Sequence, residues 1–191
     1  MVRTAPGPRE RMVYSAAQLV RERGVTATGV RDVVERAAAP RGSFQHYFPG
    51  GKDQLLDEAL VWSGESAAHW VSEYDGSTPS GLFAHLAAPW QREFAGRGFQ
   101  RGCPVNAAAA DVCAGDSALT GPIRATLDRW EEAIVAALGR VGVPAGADRR
   151  LATLMLSTLE GAILLARVRR DASPLETVVA DLGPFLDAAR P

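Results

Sequence analysis

The stretch Arg41-Gly42-Ser43-Phe44-Gln45-His46-Tyr47-Phe48 decides how the rest of the chain is read. Phe44 and Phe48 are four residues apart, so on a helix they share one face and anchor the segment to a core. The other side chains are a guanidinium, a hydroxyl, an amide, an imidazole and a phenol, groups that bond to phosphates and base edges. Upstream, Thr28 to Arg36 reads as another short helix, with Thr28 as its N-cap and Val30, Val33 and Val34 facing inward. Ala37-Ala38-Ala39-Pro40 separates the two helices; Pro40 suits the first turn of the second, which Arg41 opens. The result is a helix-turn-helix layout whose second helix is free to enter a major groove.

Outward from this pair, Arg9 to Arg23 has the spacing of an amphipathic helix, with Met12, Val13, Ala16, Ala17, Leu19 and Val20 on its apolar side. Gly24 is placed to end it. The run from Gly24 to Val34, the run Arg41 to Pro49, and then Lys52 and Leu55 resemble the DNA-reading unit of TetR-type (TetR/AcrR) transcriptional regulators. Phe48-Pro49-Gly50-Gly51-Lys52 and Gly102-Cys103-Pro104-Val105 resemble the LmrA/YxaF-like branch. Two residues depart from the wider family pattern. Gly29 stands where a hydroxyl is usual, and Gln45 where an aromatic is common, which implies a different operator.

The DNA-binding set expected from these residues is Thr28, Arg31, Arg41, Gly42, Ser43, Gln45, His46, Tyr47 and Lys52. Arg41 suits guanine O6/N7 or a phosphate, and Gln45 suits adenine N6/N7. Gly42 lets the backbone approach closely, and His46 can donate to a phosphate or base edge. Tyr47 and Lys52 fit phosphate clamps, which position without specifying. Lys52, the only lysine in the chain, follows a Gly-Gly turn at a helix start, where free backbone N–H groups add to its charge. Thr28 is open to two roles, phosphate contact or cap.

Charge is distributed to match. Residues 1–52 hold nine basic and four acidic side chains, a net of +5, while the remainder, with 12 basic and 18 acidic, is −6. A basic head on an acidic body suits DNA binding joined to another task. The expected domains are 1–52, a three-helix DNA-binding head, and 53–191, a helical regulatory and dimerising body. No segment alternates as a strand does, so the fold class is all-α. The segment Leu151 to Ala166 falls short of a membrane span and contains Glu160, and no apolar run opens the chain. A soluble, cytoplasmic protein with no membrane partner is expected.

In the body, long helices are expected over Lys52 to Tyr74, Ser80 to Ala95 (kinked or divided at Pro89), Ser117 to Val141 (interrupted at Gly121-Pro122) and Asp148 to Arg170. Shorter ones are expected from Pro104 to Ala114 and from Ser173 to Ala188. The resemblance implies a cavity for a small effector and a dimer built from the helices near 118–141 and 148–170. Trp62, Trp90, Phe94, Cys103, Asn106 and Trp130 are the candidate ligand residues, suited to an apolar or aromatic molecule; Leu151, Met155, Thr158, Leu159 and Ala162 are the candidate dimer residues. A two-fold dimer implies an inverted-repeat operator on double-stranded DNA.

Enzyme chemistry is not indicated. The three histidines have no metal-ligand spacing with Cys103 and Cys113, and Gly51-Lys52-Asp53 lacks the features of a phosphate loop. No nucleophile–base–orienter set is present, and no metal or cofactor is expected. The leading reading is a dimeric repressor released by an effector. Its alternatives are a redox-responsive repressor acting through Cys103, and a small-molecule-binding helical protein with a vestigial helix-turn-helix.

Overall fold

The structure, a computed structural model, describes residues 6–112 and 117–190. The described residues form helices without strands: α1 Pro8–Arg23, α2 Val30–Arg36, α3 Phe44–Tyr47, α4 Gly51–Ser72, α5 Pro79–Arg97, α6 Pro104–Val112, α7 Thr120–Arg140, α8 Ala147–Arg169 and α9 Ser173–Asp187. They pack into two compact units, Met1–Gly64 with Pro104–Thr126 and Glu65–Cys103 with Leu127–Pro191.

In the first unit, α1 starts on Pro8, and the Glu10 carboxylate accepts from the Gly7 N–H at 2.8 Å, satisfying a donor the helix leaves open. Gly24, at φ +81°, ends α1 with its N–H on the Val20 carbonyl at 2.9 Å. α1 packs against α2 and α6. Met12, Ala16, Val33, Phe48, Leu55 and Ala59 are among the residues that form the core here, with Phe44 and Tyr47 partly buried against it. The apolar face expected of Phe44 and Phe48 is present: Phe48 is fully buried and the two rings stack at 5.4 Å.

Several local expectations are corrected. Gly29, not Thr28, is the N-cap of α2, and no side chain caps that helix. The Thr28 hydroxyl is turned back to the Gly24 carbonyl at 2.6 Å, which satisfies it inside the turn. Pro40 and Arg41 precede α3 instead of opening it. The Pro40 carbonyl accepts the Ser43 N–H at 3.0 Å and the Ser43 hydroxyl at 2.7 Å, closing a turn that delays the helix to Phe44. α7 is continuous from Thr120. Pro122 lies in its first turn, where a missing N–H costs no helix bond.

In the second unit, α5 packs on α8 and α9, and α8 packs on α9. Thr78 caps α5 by accepting the Gly81 N–H at 3.1 Å, and the helix passes through Pro89 undivided. At the same end Asp187 of α9 accepts from the Ser80 N–H at 2.9 Å and its hydroxyl at 2.7 Å. Trp70 and His85 clasp each other reciprocally. The rings stack at 4.2 Å, the Trp70 Nε1–H donates to the His85 carbonyl at 2.9 Å, and His85 Nε2 lies 2.7 Å from the Trp70 carbonyl.

α8 is long and apolar enough to cross a membrane by length and composition, contrary to the sequence estimate, with a mean hydropathy of 1.6. Only 39% of that window is buried within the chain. Leu164, Leu165 and Val168 are 54%, 45% and 75% exposed, and Phe185 of α9 is 59% exposed.

Candidate nucleic-acid interface

The recognition segment is held by its apolar face, which leaves Arg41, Gly42, Gln45 and His46 exposed. Ser43 and Tyr47 are half-buried, Tyr47 against the core and within 5.1 Å of the His46 ring. Gln45 rests with its Nε2 donating to the Pro49 carbonyl at 3.2 Å, a bond that an adenine edge can replace. Thr28 leaves the candidate set: it is 1% exposed with its hydroxyl engaged, so it cannot reach a phosphate.

Several of the head's described arginines are already engaged. Arg36 pairs with Glu22 through two bonds of 2.9 and 2.8 Å, Arg9 bonds to Glu58 at 2.7 Å, and Arg23 pairs with Asp32. Arg11 donates to the carbonyls of Pro6 and Ala37 at 2.8 Å and Ala38 at 3.3 Å, tying α1 to the end of α2. Arg21 donates to Gln18 at 3.1 Å. Arg31 and Arg41, by contrast, are exposed and make no ion pair among the described residues. Lys52 sits in the first turn of α4, after Gly51 at φ +75°, and its Nζ lies 3.5 Å from the Thr26 carbonyl. Arg31 and Arg41 are thus exposed cations, and Lys52 a half-buried one resting on a carbonyl, a distinction that residue counts alone do not make.

The candidate ligand residues fall in both units. In the first, Trp62 is 37% exposed and meets Tyr14 edge-on at 5.4 Å, and Asn106 is exposed on α6. In the second, Phe94 is buried between Trp90 and Phe99, with ring separations of 6.4 and 4.9 Å. Trp130 is 6% exposed, and its Nε1–H is buried with no hydrogen-bond partner among the described residues. Cys103 carries a thiol only 4% exposed, immediately before α6, and Arg101 is directed at Glu93 at 3.5 Å. Cys113 lies outside the described residues.

Of the candidate dimer residues, Leu151, Met155, Leu159 and Ala162 are buried within their own chain, and Thr158 is half-buried. The apolar face that α8 leaves open is instead the one bearing Ser157, Gly161, Leu164, Leu165 and Val168. Both faces of α8 are apolar, and helical periodicity alone selects the one that packs inside.

Comparison with known proteins agrees with this geometry. Residues 14–59 match the family described as bacterial regulatory proteins, tetR family, and residues 79–181 match the C-terminal domain of LmrA/YxaF-like transcriptional regulators. An HTH-type transcriptional regulator of Mycobacterium tuberculosis strain H37Rv is 43% identical, covering 97% of each chain. The HTH-type transcriptional regulator YxaF of Bacillus subtilis is 27% identical over 93% of this chain and 94% of its own. A TetR transcriptional regulator from Legionella pneumophila superposes with a TM-score of 0.82 at 19% identity, covering 96% of this chain and 99% of that one. The chain belongs to the TetR family of helix-turn-helix transcriptional regulators, in the LmrA/YxaF-like branch.

Proposed function

We propose that this regulator is a cytoplasmic repressor that binds an inverted-repeat operator as a homodimer and is released by a small apolar or aromatic effector. The observation that carries the reading is the exposed row Arg41, Gln45 and His46 on a segment whose opposite face is fixed by Phe44 and Phe48. Arg41 and Gln45 read base edges, while Arg31, Tyr47 and Lys52 hold phosphates. Residues 1–52 carry these groups, and residues 53–191 carry the regulatory and dimerising parts.

The uncovered face of α8 favours a second copy, because apolar side chains at 54% and 75% exposure gain most from burial against their own kind. The buried Trp130 N–H favours an effector that carries a hydrogen-bond acceptor on an apolar frame, since a buried donor without a partner costs free energy that such a ligand recovers.

Binding is tested by fluorescence anisotropy on duplexes selected from random sequence, over a salt series. Arg31 and Lys52 on each head give about four cation–phosphate contacts per dimer, so log K should fall with log salt at a slope of about −4. Lys52→Ala should weaken every duplex alike and flatten the slope, whereas Arg41→Ala or Gln45→Ala should also relax base preference. Equal losses on operator and scrambled DNA for Arg41→Ala and Gln45→Ala would remove them from base reading.

A further inference from the structure

Thr26 lies in the turn between α1 and α2, and its main chain is held at both its N–H and its carbonyl. Its N–H donates to Asp111 Oδ2 of α6 at 2.9 Å, and its carbonyl is 3.5 Å from Lys52 Nζ at the start of α4. The Asp111 carboxylate also occupies the space a side chain on Gly24 would fill: a Cβ there would lie 2.5 Å from Asp111 Oδ2. Gly24 thus supplies both the positive φ that ends α1 and the vacancy that admits the carboxylate. Thr28 completes the turn from inside, its hydroxyl on the Gly24 carbonyl at 2.6 Å.

We propose that Asp111 is a positioning residue for DNA binding: its carboxylate fixes the main chain at Thr26, and the carbonyl of that residue in turn holds the Lys52 ammonium where a DNA phosphate arrives. The proposal rests on Lys52 as a phosphate contact. A hydrogen bond from a backbone N–H to a carboxylate is stronger than one between neutral groups, so it fixes the main chain at Thr26 and with it the direction of the Thr26 carbonyl. Lys52 has three N–H donors, so one can rest on Thr26 while the others take a phosphate. A contact of 3.5 Å is loose enough to yield to that phosphate. Asp111 is itself an anion and repels DNA at long range, a repulsion that salt screens while its local hold on Thr26 persists.

The test is a double-mutant cycle between Asp111→Ala and Lys52→Ala, read as affinity for the tightest duplex recovered by selection with the wild-type protein. Asp111→Asn is the conservative variant, because its amide oxygen can still accept the Thr26 N–H. The expected result is a loss of about fivefold to tenfold for Asp111→Ala, near-complete rescue by Asp111→Asn, and little further loss from Asp111→Ala when Lys52 is already Ala. Fully additive losses would overturn the coupling while leaving the role of Lys52 intact. Tighter binding by both Asp111 variants would overturn it by making the carboxylate a simple repulsive charge. No loss from Lys52→Ala would remove the phosphate reading, and the proposal with it. Exchange of the Thr26 amide proton is read alongside: faster exchange in Asp111→Ala but not in Asp111→Asn supports the contact, and unchanged exchange in both overturns it, independently of any change in overall stability.

Discussion

A Cβ built on Gly42 would meet no atom within 4 Å, and Gly42 is not among the glycines at positive φ. Nothing among the described residues therefore demands glycine there, and the position lies beside Arg41 on the segment proposed to read DNA. Gly42→Ala should melt at the same temperature as the wild type and bind its operator more weakly. A variant that binds normally would place the backbone at Gly42 away from the DNA. Gly64 is the opposite case. Its Cβ would lie 2.7 Å from Thr126 Cγ2, and the Thr126 hydroxyl bond to the Pro122 carbonyl at 2.9 Å restrains that side chain from turning aside. Alanine in a helix is favoured over glycine by about 1 kcal/mol, yet Gly64→Ala should lower the melting temperature because the clash outweighs the propensity. Gly96→Ala on α5, where a Cβ meets nothing, is the control that should gain part of that amount.

At the scale of elements, the N-terminus of α9 is tied to Asp171. Its carboxyl is held below its ordinary value of 3.8, first by the Ser173 hydroxyl at 2.5 Å and then by the Ser173 backbone N–H at 3.1 Å. A carboxyl lowered by folding stabilises the fold above its ordinary pKa, and that stabilisation fades as pH falls through the lowered value. Melting curves of the wild type and Asp171→Asn should therefore differ at neutral pH and converge in acid; a constant gap would deny the linkage. The same scale explains what the sequence could reveal. α1, α4 and α8 were legible because their apolar residues recur at helical spacing, and the buried role of Phe44 and Phe48 followed from their separation of four. The cap of α2 was misplaced by one residue because Thr28 and Gly29 are both acceptable caps, and only the bond from Thr28 to Gly24 decides between them. The delayed start of α3 likewise depends on where the Pro40 carbonyl finds its donors. The engagement of Arg9, Arg11, Arg23 and Arg36 was not legible, since it joins residues on different helices or at a helix end.

For the whole molecule, the proposed dimer surface is the one α8 leaves open. Leu164→Glu and Val168→Glu remove little from the interior, because these side chains are 54% and 75% exposed in the single chain. Both should yield a folded monomer by sedimentation, with operator affinity falling toward that of one head on one half-site. A dimer that survives both substitutions would place the interface elsewhere. Sequence pattern selects the side of α8 that packs inside because each side is apolar, and only the position of α5 and α9 tells which side is already covered.

The membership of α6 in the first unit bears on how this regulator can be recombined with others. Residues Pro104–Thr126 pack with Met1–Gly64 although about forty residues of the other unit intervene in sequence. A chimera joined at a single point after α3 or within α4 would leave α1 facing a foreign α6, without the partner for Gly24 and Thr26 that Asp111 provides. Transplanting its operator preference onto another effector domain therefore calls for two grafts, the leading segment and the α6 segment, exchanged together.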